Sequence, residues 1–343
     1  MPTLPMHPDR CASPDPASPQ RPIRLATRGS PLAMAQTHLA IDRCRAAFPD
    51  LAFEIRIIKT TGDRLQRASM AQAPASVSKG LFTKELETAL LRDEADMAVH
   101  SLKDLPTELP AGLILGAVLE REDARDVLVC RSTGSALPTS TPAHASLLDA
   151  LPPHATVATS STRRREQLLE LRPDLRVVQI RGNLSTRLEK LAHDPDLAAT
   201  LLAVAGLRRL GYQLRPDGAI HGPPQHPAPP GLRAISLPID LMIPCVGQAA
   251  IGIEIRADDR LAQSLCSRLD HDVTRACATA ERAFLRAMGG GCLSPVAAYA
   301  EVDSGLLKLR GISFRSGHAA RAAATGPLSA PEDLGQKLAS RLL

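Results

Sequence analysis

The sequence predicts an α/β protein of three domains, in which two lobes flank a cleft and a smaller C-terminal α/β domain follows. Short apolar segments alternate with amphipathic ones along most of the chain, which is typical of largely parallel sheets covered by helices. With 343 residues, the chain is too long to form a single hydrophobic core. Turns that carry arginine occur in two separate parts of the chain, and this division suggests two lobes that face each other.

The composition argues against several classes of protein. Aromatic residues make up only 2% and tryptophan is absent, which disfavours a protein that stacks the bases of single-stranded nucleic acid. No apolar run is long enough to cross a bilayer, so no membrane association is expected. The seven cysteines form no CxxC pair, which argues against a metal site, and their odd, scattered number indicates reduced thiols in a cytoplasmic protein.

The predicted domain boundaries follow changes in composition. Residues 1–20 are rich in proline and are expected to form a disordered tail. A dense run of charge at residues 120–126 indicates a crossing between domains. No internal sequence repeat is visible. The first lobe is expected to comprise residues 21–119 together with 245–268, the second lobe residues 120–244, and the third domain residues 269–343.

The first strand-to-helix turn joins a strand at residues 23–27 to an apolar-periodic helix. Ser30 can cap that helix, and Pro31 fits its first turn. Backbone N–H groups at a helix start favour an anion, and Arg28 lies beside them. Plain capping with a solvated Arg28 explains these residues equally well.

Two later turns repeat this design of strand, turn, helix start and arginine. A strand at 156–158 runs into Thr159-Ser160-Ser161-Thr162-Arg163-Arg164, and a strand at 177–180 runs into Arg181-Gly182-Asn183. One such turn is a weak signal, whereas three together predict a convergent anion site. Arginine suits carboxylates because its planar fork binds them bidentately.

A buried strand at residues 96–100 leads directly into Ser101, Lys103 and Asp104. Ligands of open α/β sheets lie outside the carboxyl ends of the strands, where these side chains would stand. An ordinary surface ion pair between Lys103 and Asp104 is the alternative. His100 is expected to be a hydrogen-bonded core residue and not a catalyst.

The third domain contains three consecutive glycines followed by Cys292. Gly289 is expected to end the preceding helix in the left-handed conformation. A thiol on a bare glycine turn is accessible, and accessibility favours reaction. The commoner alternative is a small buried residue in a tight turn. Near the end of the chain, Ser329 and Glu332 have the spacing of a capping box for the last helix.

Nine stretches, in order and spanning about residues 23–315, resemble the hydroxymethylbilane synthases, also called porphobilinogen deaminases. Each stretch is modest alone, but the set is specific to that family. The matching stretches are 24–33 (RLATRGSPLA), 79–87 (KGLFTKELE), 98–106 (AVHSLKDLP), 120–123 (ERED), 159–164 (TSSTRR), 181–183 (RGN), 202–207 (LAVAGL), 246–248 (VGQ) and 290–292 (GGC).

The resemblance implies a transferase of tetrapyrrole and heme biosynthesis. Family members join four porphobilinogen molecules head to tail, releasing ammonia each time, to give the linear tetrapyrrole hydroxymethylbilane. The product grows on a dipyrromethane cofactor held by a thioether to the cysteine of the glycine-glycine-cysteine turn, here Cys292. The first two domains would resemble the lobes of periplasmic anion-binding proteins. The sequence shows no long exposed apolar face of the kind that an obligate assembly needs, so a monomer is expected.

The resemblance also implies roles for individual residues. Asp104 matches the catalytic aspartate, which can bind pyrrole N–H groups, assist proton transfer and stabilise the positive charge that develops as ammonia leaves. Arginines would bind the acetate and propionate of each pyrrole. The residues expected to hold the cofactor are Cys292, Ser101, Lys103, Asp104, Thr159, Ser160, Ser161, Arg163, Arg164, Arg181 and Gly182. Those expected to bind substrate are Arg28, Ser30, Lys79, Phe82, Arg181, Arg187, Arg209 and Gln248.

The chain departs from the family pattern at two places. Ala75, Val77 and Ser78 replace a usual lysine and glycine pair before Lys79, and Ala249 replaces a usual glycine, a change expected to be mild. Two other classes of protein compete with the enzyme. A non-enzymatic two-lobed anion-binding protein would explain the arginines but not the glycine-cysteine turn. A nucleic-acid binder would carry its arginines along one exposed face instead of in helix-start turns.

Overall fold

Two five-stranded sheets and one three-stranded sheet organise the part of the chain that the computed structural model describes, namely residues 21–65, 82–131, 148–149, 151–291 and 294–343. A two-stranded ribbon lies beside the second large sheet. Strands and helices alternate through both large sheets, and the three-stranded sheet lies at the C-terminal end of the chain. The predicted α/β class with a smaller C-terminal domain is therefore confirmed.

The helices and strands follow one another in chain order. The strands are β1 (Ile23–Thr27), β2 (Phe53–Ile57), β3 (Met97–Ser101), β4 (Leu113–Val118), β5 (Asp126–Arg131), β6 (Thr156–Ala158), β7 (Arg176–Val178), β8 (Ala199–Ala203), β9 (Gln213–Leu214), β10 (Ile220–His221), β11 (Leu232–Ser236), β12 (Ile251–Arg256), β13 (Val296–Asp303), β14 (Leu306–Ser313) and β15 (Ala320–Pro327). The helices are α1 (Pro31–Ala47), α2 (Thr61–Leu65), α3 (Lys84–Leu91), α4 (Thr162–Leu171), α5 (Leu184–His193), α6 (Val204–Arg209), α7 (Arg260–Leu269), α8 (Asp272–Ala287) and α9 (Pro331–Ala339).

The two large sheets share one strand arrangement. The first has the order β2-β1-β3-β12-β4 and the second the order β7-β6-β8-β5-β11. In each sheet the first three strands are parallel and the fourth is antiparallel to them. That fourth strand follows a crossing from the other lobe, since β5 comes after residues 119–125 and β12 comes after residues 237–250. The backbone therefore contains an internal repeat that the sequence does not display.

Helices cover both faces of the first sheet. Ile41 of α1 and Leu265 of α7 join one cluster with Val99 and Ile253, and α3 packs on the opposite face. Strands buried on both faces need apolar side chains in nearly every position. The one polar exception inside β3 is His100, which is buried with its Nε2 3.0 Å from Oε2 of Glu254. The prediction that His100 is a hydrogen-bonded core residue is confirmed.

The two crossings lie side by side between the lobes. The backbone N–H of Glu122 donates to the carbonyl of Ala249, and Nε of Arg121 donates to the carbonyl of Gln248. The buried carboxylate of Glu281 on α8 then accepts bonds from Arg121 and from the N–H of Gly247, at 2.6 and 2.8 Å. The third domain is thus bonded to both crossings at once.

The third domain packs two helices on an antiparallel meander. Phe284 of α8 is fully buried in a cluster with residues of β13 and β14 and with Leu334 and Leu338 of α9. Helix α8 ends as predicted, because Gly289 takes a φ of +60°. The predicted capping box is wrong: α9 begins at Pro331 after Ala330, which makes no side-chain capping bond, because a turn after β15 occupies the predicted cap position.

The apolar run at residues 200–205 predicts one buried strand, but the structure divides it between a strand and a helix. Strand β8 ends at Ala203, and Val204 begins α6. Val204 and Leu207 of that helix are buried in the same core as the strand. An apolar run of this length looks the same in a buried strand and in a buried helix, so periodicity could not separate them.

Candidate active site

A cavity of about 310 Å³ opens between the two lobes, at the carboxyl ends of their parallel strands. The first lobe contributes the turns after β1 and β3, and the second contributes the starts of α4, α5 and α6. The sequence-predicted residues that line it are Arg28, Ser30, Phe82, Ser101, Lys103, Asp104, Arg164, Gly182, Arg187 and Arg209. Three strand-to-helix turns that are far apart in the sequence therefore do converge, as predicted.

A short 3-10 turn, Leu102–Asp104, carries two polar residues that line the cavity, Lys103 and Asp104. Leu102 is buried, and its N–H donates to the carbonyl of Ala250, which holds the turn against the second crossing. Gly247 approaches this turn so closely that an added Cβ would lie 3.1 Å from the backbone nitrogen of Lys103. Burial lowers the pKa of Lys103, and the charge of Asp104 opposes that shift in part.

Arg28 is held on two sides. Its Nη2 lies 2.5 Å from a carboxylate oxygen of Asp63, and its Cζ lies 4.0 Å from the centroid of the Phe82 ring. Only 18% of its side chain is exposed, so the alternative of a solvated Arg28 is wrong. Ser30 caps α1 by accepting a bond from the N–H of Ala33, as predicted.

Gln36 is a cavity residue that sequence reasoning missed. Its side chain is almost fully buried, and its amide exchanges two hydrogen bonds with the hydroxyl of Ser101, at 2.9 and 3.0 Å. The bond links helix α1 to the end of β3. A lone glutamine inside a helix carries no signal in the sequence, because only the docking of α1 against β3 gives it a partner.

The arginine pair at the start of α4 is neutralised in part by Asp126, which the sequence analysis did not select. Arg164 donates from Nε and Nη2 to Asp126 Oδ1 at 3.1 and 2.7 Å, and Arg163 pairs with the other carboxylate oxygen. All three residues are buried. Arg164 reaches the cavity, whereas Arg163 is not among the described residues that line it. An acidic residue at the end of the charge run, where the apolar strand β5 begins, was the available signal.

The charged form of Asp126 is strongly favoured. Burial acts against it, but the charges of Arg163 and Arg164 and their hydrogen bonds outweigh that effect. The pKa of this carboxyl is therefore well below its usual range. One carboxylate between two guanidinium groups leaves the cluster with a net positive charge.

The hydroxyl-rich turn before α4 uses its side chains locally. The hydroxyl of Ser160 donates to the carbonyl of Ile180 at 2.6 Å, Ser161 caps α4, and Thr159 accepts a bond from the N–H of Ser161. These three residues and Arg181 are not among the described residues that line the cavity. Their predicted contacts with the cofactor remain predictions.

Arg187 and Arg209 line the cavity, and both donate to backbone carbonyls. Arg187 donates from Nε to the carbonyl of Gly182 at 2.9 Å, and Arg209 donates from Nη2 to the carbonyl of Ala249 at 2.5 Å. Among the described residues, neither guanidinium lies within 4.0 Å of a carboxylate oxygen. Burial lowers the pKa of both, to about 10 for Arg209, and the charge of Arg164 adds to the effect at Arg187. A carboxylate ligand would relieve this unfavourable burial of charge.

Gln248 is buried behind the cavity. Its amide donates to the carbonyl of Ala124 and to Asp126, at 2.8 and 2.9 Å, so it joins the second crossing to β5. The next residue, Ala249, lines the cavity with a φ of +70°. This left-handed conformation accounts for the usual glycine at the position, and it costs alanine about 1–2 kcal/mol. The replacement is therefore a strained one.

Lys79, Cys292 and the loop residues Ala75, Val77 and Ser78 lie outside the described residues, so their roles remain predictions. Among the residues that are described, no group of three or more His, Cys, Asp or Glu side chains could hold a metal ion. Within the same residues, no helix combines the length and the apolar character needed to cross a bilayer.

Comparison with known proteins decides the family. Residues 23–264 match the family described as "Porphobilinogen deaminase, dipyromethane cofactor binding domain", and residues 275–343 match "Porphobilinogen deaminase, C-terminal domain". The chain belongs to the porphobilinogen deaminase family. It is 43% identical to the porphobilinogen deaminase of Pelotomaculum thermopropionicum over 320 residues, which cover 90% of this chain and 91% of the relative. It is 44% identical to that of Gloeobacter violaceus over 326 residues, covering 94% of this chain and 90% of the relative.

These matches confirm the resemblance on which the functional prediction depends. The chain is a transferase that polymerises porphobilinogen to hydroxymethylbilane in tetrapyrrole biosynthesis, and its first two lobes form a dipyrromethane cofactor-binding domain. The convergent arginine turns of the cavity are consistent with an anionic substrate and product, because each pyrrole unit carries an acetate and a propionate.

Proposed function

We propose that the cavity between the lobes is the condensation site of this porphobilinogen deaminase, with Asp104 as the catalytic group and Cys292 as the attachment point of the dipyrromethane through a thioether. The observation that supports this most directly is the charge pattern. Asp104 is the only carboxylate among the described residues that line a cavity rich in cations. The cations are Arg28, Lys103, Arg164, Arg187 and Arg209.

The residues present fit a dipyrromethane. Its carboxylates require several cationic and N–H donors, and its pyrrole N–H groups require an acceptor. The cavity offers the guanidinium groups of Arg187 and Arg209, which have no carboxylate partner within the described part of the chain, and it offers the carboxylate of Asp104 as acceptor. The residues that would hold the group are Ser101, Lys103, Asp104, Arg164 and Gly182 at the cavity, with Thr159, Ser160, Ser161, Arg163 and Arg181 around it. When bound, the group supplies a primer whose free pyrrole carbon accepts the first substrate.

Asp104 has two tasks in this proposal. It accepts a hydrogen bond from the pyrrole N–H of porphobilinogen, and it stabilises the positive charge that spreads to that nitrogen when ammonia leaves. It can also take part in moving the proton that the attacked pyrrole carbon loses. A carboxylate fixed on the turn after β3 provides this stabilisation without reorganising at the moment of reaction.

The cations of the cavity would bind and orient the substrate. Arg28, Arg187 and Arg209 line the cavity and would bind the acetate and propionate of the substrate, with Lys79 and Arg181 completing the set of cations. Ser30 and Phe82 would contact the substrate beside them. Gln248 would act less directly, since its amide is bonded to Ala124 and Asp126. Most of these side chains are held by other protein groups, which orients them before the ligand arrives.

A non-enzymatic anion-binding protein remains the contrasting case. Such a protein would gain nothing from Asp104, because a carboxylate among the cations repels an anionic ligand. It would also show no covalent adduct. The presence of Asp104 among the cations that line the cavity favours catalysis.

Intact mass spectrometry tests the attachment. The denatured protein should exceed its sequence mass by one dipyrromethane, and Cys292→Ser should show the sequence mass for that variant. A control variant, Cys245→Ser, should keep the adduct. An unmodified mass in a fully active preparation would remove Cys292 from the proposal.

Steady-state kinetics test Asp104. Asp104→Asn should keep the adduct and the fold but turn over roughly a hundredfold more slowly or worse, since removal of one group that stabilises transition-state charge typically costs that much. Asp303→Asn, which removes an exposed carboxylate of the third domain that pairs with Lys308, serves as the control. Near-normal turnover by Asp104→Asn would exclude it as the catalytic group.

We further propose the predicted domain limits, a monomer, and a cytoplasmic location. The five described cysteines are free thiols, Cys44, Cys130, Cys245, Cys266 and Cys277, which agrees with a reducing compartment. Light scattering of the purified protein measures the oligomeric state, and a dimer mass would contradict the monomer.

A further inference from the structure

Helix α8, which leads towards Cys292, makes direct bonds to the backbone just after Asp104. Arg282 donates from Nη1 to the carbonyl of Leu105 at 3.1 Å and from Nη2 to the carbonyl of Pro106 at 2.6 Å. It is not among the described residues that line the cavity. One guanidinium thus bridges two consecutive carbonyls of the segment on which the proposed catalytic group stands.

The adjacent residue on α8 acts on the other side of the same turn. Glu281 accepts a bond from the N–H of Gly247 at 2.8 Å, and Gly247 lies against the backbone of Leu102 and Lys103. Because Gly247 has a φ of +70° and no side chain, it can approach this closely. The turn is therefore in contact with Gly247 before Asp104 and with Arg282 after it.

Apolar packing adds a third contact between helix α8 and the turn. Leu102 and Leu105 are buried in one cluster with Ala278, which lies one helical turn before Arg282 on α8. The leucines point away from the cavity while Lys103 and Asp104 line it. The position of Asp104 is consequently defined by groups on α8 and not by β3 alone.

The environment of Arg282 suggests a fixed bridge. Burial, and to a smaller extent the charge of Arg286, lower the pKa of this guanidinium to about 10. Its hydrogen bonds to two carbonyls offset part of that cost. Replacing either bond by water would let the segment after Asp104 move.

We infer that Arg282 is a positioning residue for Asp104, and that it couples the third domain to the proposed catalytic turn. The inference rests on the proposed role of Asp104. Arg282 would act only through the Leu105 and Pro106 carbonyls and would touch neither substrate nor cofactor. A displacement of the turn of about 1 Å is enough to lower the rate substantially, because reacting groups must be aligned.

The same helix provides a matched control. Arg275 also donates from α8 to two consecutive backbone carbonyls of the first lobe, those of Leu115 and Gly116, and it pairs with Asp270. These carbonyls lie on β4, away from the cavity. A role for Arg282 that is merely structural would make Arg282→Gln and Arg275→Gln similar in every measurement.

The experiment compares four holoenzymes, wild type, Arg282→Gln, Arg282→Lys and Arg275→Gln, with Asp104→Asn measured alongside. Each is tested for cofactor content by intact mass, for its urea midpoint, and for kcat and KM. We expect Arg282→Gln to keep its cofactor and to lose roughly ten- to a hundredfold in kcat, with KM changed less than about threefold. Arg282→Lys, which keeps the charge but not the two-pronged geometry, should be intermediate. Arg275→Gln should retain kcat within about twofold, since the contact of α8 with β4 does not set the alignment of Asp104 with the substrate.

Each outcome decides the inference. Equal kcat values for Arg282→Gln and Arg275→Gln, or a loss of kcat that matches a loss of cofactor, would overturn the positioning role. If Arg282→Gln falls below a measurable cofactor content, the kcat of Arg282→Lys relative to its own cofactor content decides in the same way. Failure of the proposed function is separate, because it appears as normal turnover by Asp104→Asn.

Discussion

The Nη2 of Arg164 lies 2.7 Å from Oδ1 of Asp126, and both side chains are buried at the base of the cavity. Asp126 also receives Arg163 and the amide of Gln248, which come from α4 and from the second crossing. One carboxylate thereby orients two guanidinium groups and joins the second lobe to the crossing. Arg164 can meet a ligand carboxylate in the cavity because Asp126 holds it in place.

Asp126→Asn should destabilise the protein strongly. The change keeps the shape but leaves two buried guanidinium groups without their counter-ion, which costs about 3–5 kcal/mol. Urea unfolding followed by circular dichroism measures it. Asp303→Asn removes an exposed ion pair to Lys308 and should leave the midpoint unchanged. Equal midpoints for the two variants would show that Asp126 is not a structural counter-ion.

Arg209→Gln should lower kcat/KM for porphobilinogen by roughly ten- to a hundredfold, because a charge-assisted bond contributes about 1.5–3 kcal/mol. The neighbouring Arg208 provides the control, since it pairs with Glu122 at 2.7 Å and is not among the described residues lining the cavity. Arg208→Gln should keep kcat/KM within about threefold, as expected for an exposed ion pair. The same loss in both variants would contradict a binding role specific to Arg209.

The substrate affinity should fall at alkaline pH through Lys103, because its charge lies in the same cavity as the cations that would bind substrate. Its pKa is lowered from 10.5 by burial, and a lysine loses its charge as the pH rises through its pKa. KM should therefore begin to increase at a lower pH than it would if Lys103 had the pKa of an ordinary lysine. In Lys103→Arg the guanidinium stays charged, so the increase should move to higher pH. The amine of porphobilinogen titrates equally in both assays, and identical pH profiles would exclude Lys103 as the titrating group.

Ala249→Gly should leave the free energy of unfolding almost unchanged. Removal of a buried methyl group normally destabilises, but the left-handed backbone of Ala249 is relaxed by glycine, which offsets the loss. Ala205→Gly is the matched control, because Ala205 is buried in the same cluster in a right-handed helix. It should cost about 1–2 kcal/mol from helix propensity and lost packing. Equal losses at the two positions would argue that Ala249 is not strained.

Much of the candidate site was predictable from local sequence. Ser30 caps α1 and Gly289 ends α8, because capping depends on residues within one helical turn. The turns with Arg28, Arg164 and Arg187 were recognised from the alternation of strands and helices, and the rule that sheet ligands lie at carboxyl ends of strands predicted that they meet.

Other parts depended on contacts between distant residues. Asp126 is a member of a charge run in the sequence. It is important because it pairs with Arg163, which is 37 residues away in the chain. Gln36 likewise depends on its bond to Ser101 at the end of β3, and Arg282 depends on its bonds to the segment after Asp104. Pairings across such separations leave no periodic pattern.

The sequence by itself determined the family, the alternation of strands and helices, and the residue types of the cavity, because these are set by local propensity and by motifs. The tertiary structure decided which cations face a counter-ion and which face the cavity, because that depends on how two lobes and a third domain pack. It also revealed the shared strand order of the two lobes, since backbone arrangement can repeat without any repeat in side chains.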